Sequence, residues 1–158
     1  LVSIEMIEAI GHQYMNGYFA HCANLLKPDG MMLIQAITIR DQLYHNALKD
    51  VDFIKKYVFP GGFLPSVTAM INSINKQTDM KLFHLQDIGP HYAHTLKDWR
   101  NRFLSQLDEV RELGYSEEFT RLWEYYFCYC EGGFLEHDIG TVQMLVTKPG
   151  NRRNPVIL

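Results

Sequence analysis

The sequence predicts an α/β fold with helices on both faces of a sheet, and three observations favour it. Apolar residues recur at helical spacing from His12 to Leu26 and stop at the turn "KPDG". The nearly continuous apolar run Met31–Ile39 follows at once, as is typical of a strand covered on both faces. Two long amphipathic segments then precede a last apolar strand, "TVQMLVTKP". This order of elements indicates a layered α/β architecture.

The remaining elements follow from the same periodicities in chain order. Leu1–Glu5 has the character of a short buried strand end, and Ser66 is placed to cap the helix after the Pro-Gly segment. Gly114 and Ser116 separate the two long helices, because glycine ends one helix and serine begins the next. We therefore predict helices over Val51–Val58, Val67–Asn75, Tyr92–Leu113 and Ser116–Cys130, and a further strand over Met80–Ile88.

Composition bounds the class of protein. The chain has 158 residues, 47% hydrophobic and 21% charged, which fits one globular domain with a real core. A formal net charge of -3 without a Lys/Arg block gives no reason to expect nucleic-acid binding. Three cysteines in no spaced framework indicate reduced thiols and a cytoplasmic protein. No apolar run approaches the roughly 20 residues of a membrane span.

Three local features carry candidate chemistry. Gln35 places a primary amide at the centre of an apolar strand, where it must find hydrogen-bond partners. His84, His91 and His94 lie close in sequence, but no Cys or carboxylate completes a tetrahedral set, so we expect no metal site. The segment "KKYVFPGGFLPS" is stiffened at its ends by proline and loosened by Gly-Gly between them.

Five stretches in one order resemble the C-terminal part of cyclopropane-fatty-acyl-phospholipid synthases and the related mycolic acid cyclopropane synthases and methyltransferases. They are "SIEMIEAIG", "YFAHCANLLKPDGMMLIQAITI", "YVFPGGFLPS", "IGPHYAHTLKDWRNRFL" and "YYFCYCEGGF", and the resemblance covers Val2 to Lys148. It implies a class I, Rossmann-like methyltransferase sheet with a helical pair inserted before the last strand. Residues 1–148 would form the C-terminal part of the catalytic domain, and residues 149–158 a tail.

The resemblance also implies where the cofactor binds. In this family a Gly-rich loop after the first strand holds S-adenosyl-L-methionine, and no G-x-G-x-x-G run opens a helix in this sequence. The chain moreover begins inside an apolar run, without Met or a helix cap. We therefore expect the cofactor-binding residues to lie mostly upstream, in a larger protein, and residues 1–158 to be inactive by themselves.

The activity that the resemblance implies is methylene transfer from S-adenosyl-L-methionine to the cis double bond of a phospholipid acyl chain. A cyclopropane ring closes when a proton leaves the new methyl group, with bound bicarbonate as the base. Two alternatives stay open: a lipid carbon methyltransferase without ring closure, and a non-catalytic acyl-lipid-binding fragment. The substrate implies contact with the inner face of the membrane, and a homodimer is left open.

Five residues match the family's catalytic positions. Glu8 matches the acidic ligand of bicarbonate, with an ordinary helix-end Glu as the alternative. Gln35 stands where the family often has His, and Ile37 matches a position whose backbone contacts the anion. Tyr92 matches the tyrosine whose hydroxyl completes the anion site. Cys130 matches the active-site cysteine, although no thiolate nucleophile is needed when the alkene itself attacks.

The resemblance places "YVFPGGFLPS" beside the mouth of the active site. Its glycines would let the backbone approach the ligand, and its large side chains would form a dry wall for the acyl chain. The predicted substrate-binding residues are Tyr57, Phe59, Gly61, Gly62, Phe63 and Leu64. Aromatic residues on the neighbouring helices would extend the wall, with core packing as the alternative for each: Phe103, Trp123, Tyr125, Tyr126, Phe127 and Phe134.

Overall fold

The computed structural model describes residues 1–153 and contains one four-stranded mixed sheet. The spatial order of the strands is β1-β2-β4-β3. β1 runs parallel to β2, and β3 runs antiparallel to β4. The strands are β1 (Val2–Ile4), β2 (Met31–Ile39), β3 (Lys81–Asp87) and β4 (Ile139–Thr147). Because the central pair β2 and β4 is distant in sequence, the sheet joins the two ends of the chain.

The described residues form two compact units. The sheet unit comprises Leu1–Asp87 and the described chain from Thr141 onwards, and the helical unit comprises Ile88–Gly140. In the sheet unit α1 packs against α3, and in the helical unit α4 packs against α6. The helices are α1 (Met15–Leu25), α2 (Asp41–Ala47), α3 (Val67–Gln77), α4 (Gly89–Ser105), α5 (Leu107–Glu112) and α6 (Glu117–Leu135).

β2 has the bounds that the sequence predicts, but only one of its faces is fully covered. Its burial alternates: Met32, Ile34, Ala36 and Thr38 are buried, and the residues between them are half-buried. The prediction of a strand covered on both faces is therefore confirmed for one face, and the other face is only partly covered. The half-buried face is the one on which Gln35 lies, and this explains how an amide is tolerated in an otherwise apolar strand.

The first strand differs from the prediction in the same way. β1 spans only Val2–Ile4 and lies at the edge of the sheet. Val2 is 65% exposed and Ile4 is 60% exposed, so the predicted buried strand end is wrong. Apolar composition indicated burial here, but burial also needs a neighbouring layer.

The helical elements show three further differences. The helix predicted over Tyr92–Leu113 begins at Gly89 and is interrupted at Gln106, giving α4 and α5. The predicted Val51–Val58 helix is a single π-helical turn, Ile54–Val58, and α2 precedes it where no helix was predicted. Two short 3₁₀ turns, Ile7–Ala9 and His12–Tyr14, connect β1 to α1.

The described part of the tail, residues 149–153, is bound to the turn between α1 and β2. Gly150 N donates to Pro28 O at 3.1 Å, and Asn151 Nδ2 donates to Asp29 O at 2.7 Å. The rest of the predicted tail, residues 154–158, lies outside the described residues. Within residues 1–153, no helix has both the length and the apolar character that crossing a membrane requires.

Candidate functional site

Glu8 is the residue on which three segments of the sheet unit converge. It lies in the 3₁₀ turn that follows β1, and its Oε1 accepts a hydrogen bond of 2.6 Å from the backbone N–H of Ile37 on β2. Its backbone oxygen accepts from Phe63 N at 3.0 Å. The Pro-Gly segment and β2 therefore fix Glu8 from both its backbone and its side chain.

The second carboxyl oxygen of Glu8 is buried and has no hydrogen-bond partner within the described residues. Burial raises the pKa of this carboxyl; the charge of Glu5 raises it further, against the lowering effect of backbone N–H groups that include that of Ile37. A carboxyl with a raised pKa carries a proton more readily than an exposed Glu does. Oε2 can then donate that proton to a small oxyanion or accept a hydrogen bond.

Gln35 has both ends of its amide engaged. Its Nε2 donates to Glu5 Oε1 at 2.8 Å, and its Oε1 accepts from Gln143 Nε2 of β4 at 2.9 Å. The predicted need for partners is confirmed, but the sequence reasoning identified neither partner. A signal was available for Gln143, because it is an amide within the apolar stretch "TVQMLVT", as Gln35 is in "MMLIQAITI".

Ile37 takes part through its backbone. The family resemblance implies that this N–H contacts the anion, and in the structure it is bound to Glu8 Oε1. The structure therefore brings together Glu8, Gln35 and Ile37 on one unit, and the role of Ile37 towards an anion stays a prediction.

The Pro-Gly segment turns sharply and presents its residues in different directions. Gly61 has φ +83°, a conformation that L side chains rarely adopt, and a Cβ on Gly62 would lie 3.1 Å from the carbonyl oxygen of Phe59. Phe63 is 5% exposed and belongs to the core of the sheet unit, whereas Tyr57 and Phe59 are 57% and 56% exposed. Leu64 is half-buried. The predicted acyl-binding roles of these residues stay predictions.

The helical unit carries the other two predicted catalytic residues. Tyr92 lies in α4 and stacks on Phe134 of α6, with ring centroids 5.2 Å apart. Cys130 is half-buried on α6 and is not disulfide-bonded. Arg100 of α4 and Glu131 of α6 form an ion pair of 2.9 Å between the two helices.

Four of the aromatic residues predicted to extend the acyl wall share one cluster in the helical unit: Phe103, Trp123, Tyr126 and Phe127. Phe127 is at its centre, 5.7 Å from Phe103 and 5.8 Å from Trp123, measured between ring centroids. Phe127 and Phe134 are buried, and Tyr125 is 52% exposed and paired with Tyr129. Packing explains Phe127 and Phe134, and an acyl-binding role for any of the set stays a prediction.

The histidines that raised the question of a metal lie on different elements. His84 is on β3, and His91 and His94 are on α4. Among residues 1–153 no three His, Cys, Asp or Glu side chains form a group that could hold a metal ion.

The names of known proteins that are similar in sequence to this chain describe enzymes that act on lipids. The chain is 38% identical over 150 residues to the tuberculostearic acid methyltransferase UfaA1 of Mycobacterium tuberculosis, covering 95% of this chain and 35% of that protein. It is 34% identical over 148 residues to the cyclopropane-fatty-acyl-phospholipid synthase of Escherichia coli K12, covering 94% and 37%. The chain thus spans about a third of the length of these curated relatives.

Solved structures give the fold and the family. The cyclopropane synthase MmaA2 of Mycobacterium tuberculosis superposes with a TM-score of 0.83 at 28% identity, covering 93% of this chain and 54% of that chain. The mycolic acid cyclopropane synthase CmaA1, complexed with SAH and CTAB, gives the same values. The predicted methyltransferase fold class is confirmed. The family profile described as Mycolic acid cyclopropane synthetase matches residues 1–144, and the chain therefore belongs to that family.

Proposed function

We propose that this chain contributes the acyl-binding and base-binding part of an S-adenosyl-L-methionine-dependent cyclopropane synthase. The reaction is methylene transfer to the cis double bond of an unsaturated phospholipid acyl chain at a membrane surface. Family membership and the names of the relatives support the reaction class. The observation that carries the proposal is the Glu8 carboxyl, which is anchored through one oxygen and has its other oxygen buried without a partner among the described residues.

The site fits a small oxyanion such as bicarbonate. When bound, bicarbonate supplies the base that takes a proton from the new methyl group. Glu8 would hold it through Oε2, sharing one proton so that two negative charges do not meet. Ile37 N–H keeps Oε1 in place, and Phe63 N–H keeps the backbone of Glu8 in place. Burial of Oε2 limits the competition from water at this oxygen. The contacts of the described residues assign none of them to S-adenosyl-L-methionine.

A second candidate is methyl transfer to a lipid carbon without ring closure. It is favoured by the 38% identity to a protein named as a tuberculostearic acid methyltransferase. The two reactions share the attack of the alkene on the sulfonium methyl and differ in the fate of the cation that results. A site that holds a base beside that cation favours ring closure, and this is why cyclopropanation is the first proposal.

The test uses the full-length protein that contains this chain. It is incubated with S-adenosyl-L-methionine and vesicles of unsaturated phospholipid, with bicarbonate present and then stripped, and products are analysed by mass spectrometry. A cyclopropane product that fades without bicarbonate supports the proposal. A methylated, acyclic product moves the protein to the second candidate. Retained cofactor binding with no turnover of any lipid would leave a non-catalytic acyl-lipid-binding protein.

A further inference from the structure

We propose that Glu5 and Gln143 are positioning residues of the Glu8 site, which together hold the Gln35 carboxamide in one orientation. The observation is a hydrogen-bonded chain across three strands: Gln143 on β4 donates to Gln35 on β2, which donates to Glu5 directly after β1. The proposal rests on the proposed function, since it assigns these residues to the site that would hold the anion.

The direction of the chain follows from what each group can do. An ionised Glu5 only accepts hydrogen bonds, so it fixes the NH₂ end of Gln35 towards β1. The Nε2 of Gln143 donates, so it fixes the C=O end towards β4. A reversed Gln35 amide would set oxygen against carboxylate and N–H against N–H. Gln35 Nε2 carries two hydrogens and Glu5 takes one, so the second keeps a defined direction for a ligand.

The backbone at Glu5 shows that this residue is held in an uncommon state. Its φ is 49°, in the left-handed region that non-glycine residues rarely adopt, and its N–H donates to Gln35 O at 2.9 Å. Glu5 is thus bound to Gln35 by both backbone and side chain. A residue keeps such a strained backbone conformation only where the surrounding contacts hold it there. Residues of this kind are enriched at functional sites.

Glu5 also acts on Glu8 through its charge. Burial is the main cause that raises the pKa of Glu8, and the negative charge of Glu5 raises it further. Two other titratable groups lie near in the sheet unit: Tyr18 of α1, whose pKa burial raises to about 12, and His12, whose ring is 6.2 Å from that of Phe63. Tyr18 stays neutral over the working range. Glu5 is the charged group among the causes that shift the pKa of Glu8, so its removal should change the protonation of Glu8.

The experiment compares Glu5→Gln, Gln143→Met and the control Glu136→Gln, all in the full-length protein. Glu136 is an exposed carboxylate at the end of α6, so its removal matches the charge change of Glu5→Gln. The protonation of Glu8 is followed by its infrared carboxylic C=O stretch, assigned through Glu8→Gln. The dissociation constant of ¹³C-bicarbonate is measured by NMR, and thermal unfolding checks that each variant is folded.

We expect Glu5→Gln to lower the titration midpoint of Glu8, because it removes the negative charge that raises the pKa of this carboxyl. Bicarbonate binding should weaken about threefold to tenfold. Gln143→Met should leave the midpoint unchanged and weaken bicarbonate binding by a similar factor, because it removes the donor that fixes the C=O of Gln35. Glu136→Gln should change neither quantity.

Unchanged bicarbonate binding in folded Glu5→Gln and Gln143→Met would overturn the positioning roles, whatever the midpoint does. Equal effects in Glu136→Gln would do the same. Both readouts are made without lipid or turnover, so they are separate from the test of the proposed function. If the infrared and NMR shifts occur and no lipid is converted, only the proposed function fails.

Discussion

At the scale of a single residue, the environment of Glu8 suits the proposed function but not the stability of the fold. The proposed anion site needs a carboxyl that holds a proton more readily than an exposed Glu does, and burial favours this by raising the pKa of Glu8. The same arrangement lowers the stability of the folded state, because Oε2 is buried without a hydrogen-bond partner in the described structure. A residue that costs stability and is anchored on both backbone and side chain is better explained by function than by packing.

The substitution Glu8→Gln tests the role of Glu8 in turnover and its effect on stability separately. We expect Glu8→Gln to lower turnover by about a hundredfold, since an amide can donate a hydrogen bond to the base but has no acidic proton to exchange with it. In the wild type the folded state binds more protons than the unfolded state between the ordinary pKa of 4.5 and the raised value. The contribution of Glu8 to stability is therefore lost as pH rises through that window.

The measurement is urea unfolding of wild type and Glu8→Gln at pH 5 and pH 8, beside an activity assay. Glu8→Gln should gain stability relative to wild type as pH rises, because the wild type must then ionise a buried carboxyl. Glu136→Gln, the exposed control, should follow the wild type at both pH values. A stability difference that stays constant with pH would mean that Glu8 titrates like an exposed Glu.

How far the site could be predicted depends on the kind of contact that each residue makes. Glu8, Gln35 and Ile37 were identified from motifs, and the structure shows them within two hydrogen-bonding networks of one unit. Glu5 and Gln143 were missed because their roles depend on strand pairing: residues 35 and 143 meet only across neighbouring strands. Periodicity within one strand carries no information about its neighbour.

At the scale of elements, the segment that joins β2 to α3 is determined by its caps. Ser66 is 2% exposed, and its Oγ accepts from Ala69 N at 3.2 Å at the start of α3. Asp41 at the start of α2 accepts from both the N–H and the hydroxyl of Thr68. A hydrogen bond with Ser66 is the main cause that lowers the pKa of Asp41. The cap thus connects two helices next to the Pro-Gly segment.

Ser66→Ala should destabilise the protein by about 1 kcal/mol, the usual cost of losing an N-cap side chain. It should also move the pKa of Asp41 back towards its ordinary value of 3.8, since the main lowering hydrogen bond is gone. Urea unfolding gives the first quantity and NMR titration of Asp41 gives the second.

Ser116→Ala is the matched control for the cap. Ser116 accepts from Phe119 N at the same distance of 3.2 Å at the start of α6, but it is exposed. Water can replace the lost hydrogen bond there, so the cost should be smaller and Asp41 should be unaffected. An Asp41 pKa that does not move in Ser66→Ala would contradict the connection between the two helices.

Elements with strong apolar periodicity were predictable, and those set by tertiary contacts were not. β2 has its predicted bounds because nine apolar-rich residues end at clear turn signals. α2 is seven residues long and mostly polar, and Asp41 links it to Thr68, 27 residues away in sequence. The interruption at Gln106 lies beside Ser105, whose hydroxyl bonds to Arg102 O; such local competition with the helix gives no clear sequence signal.

At the scale of the whole molecule, the sheet has an unprotected edge. β1 is three residues long and forms one edge of the sheet, with Val2 and Ile4 exposed. An exposed apolar edge strand pairs readily with another chain.

We therefore expect the isolated 158-residue chain to self-associate through β1. Replacing Val2 and Ile4 together by Lys should shift it towards the monomer, because charged side chains on an edge oppose pairing with a second strand. Light scattering after size-exclusion chromatography, over a range of concentrations, measures the change. Leu113→Lys is the control, since Leu113 is 76% exposed and lies at the end of α5 and not on a strand. It should leave the association unchanged. A wild-type chain that stays monomeric at every concentration, or association that survives the double substitution in folded protein, would show that the edge of β1 does not drive it.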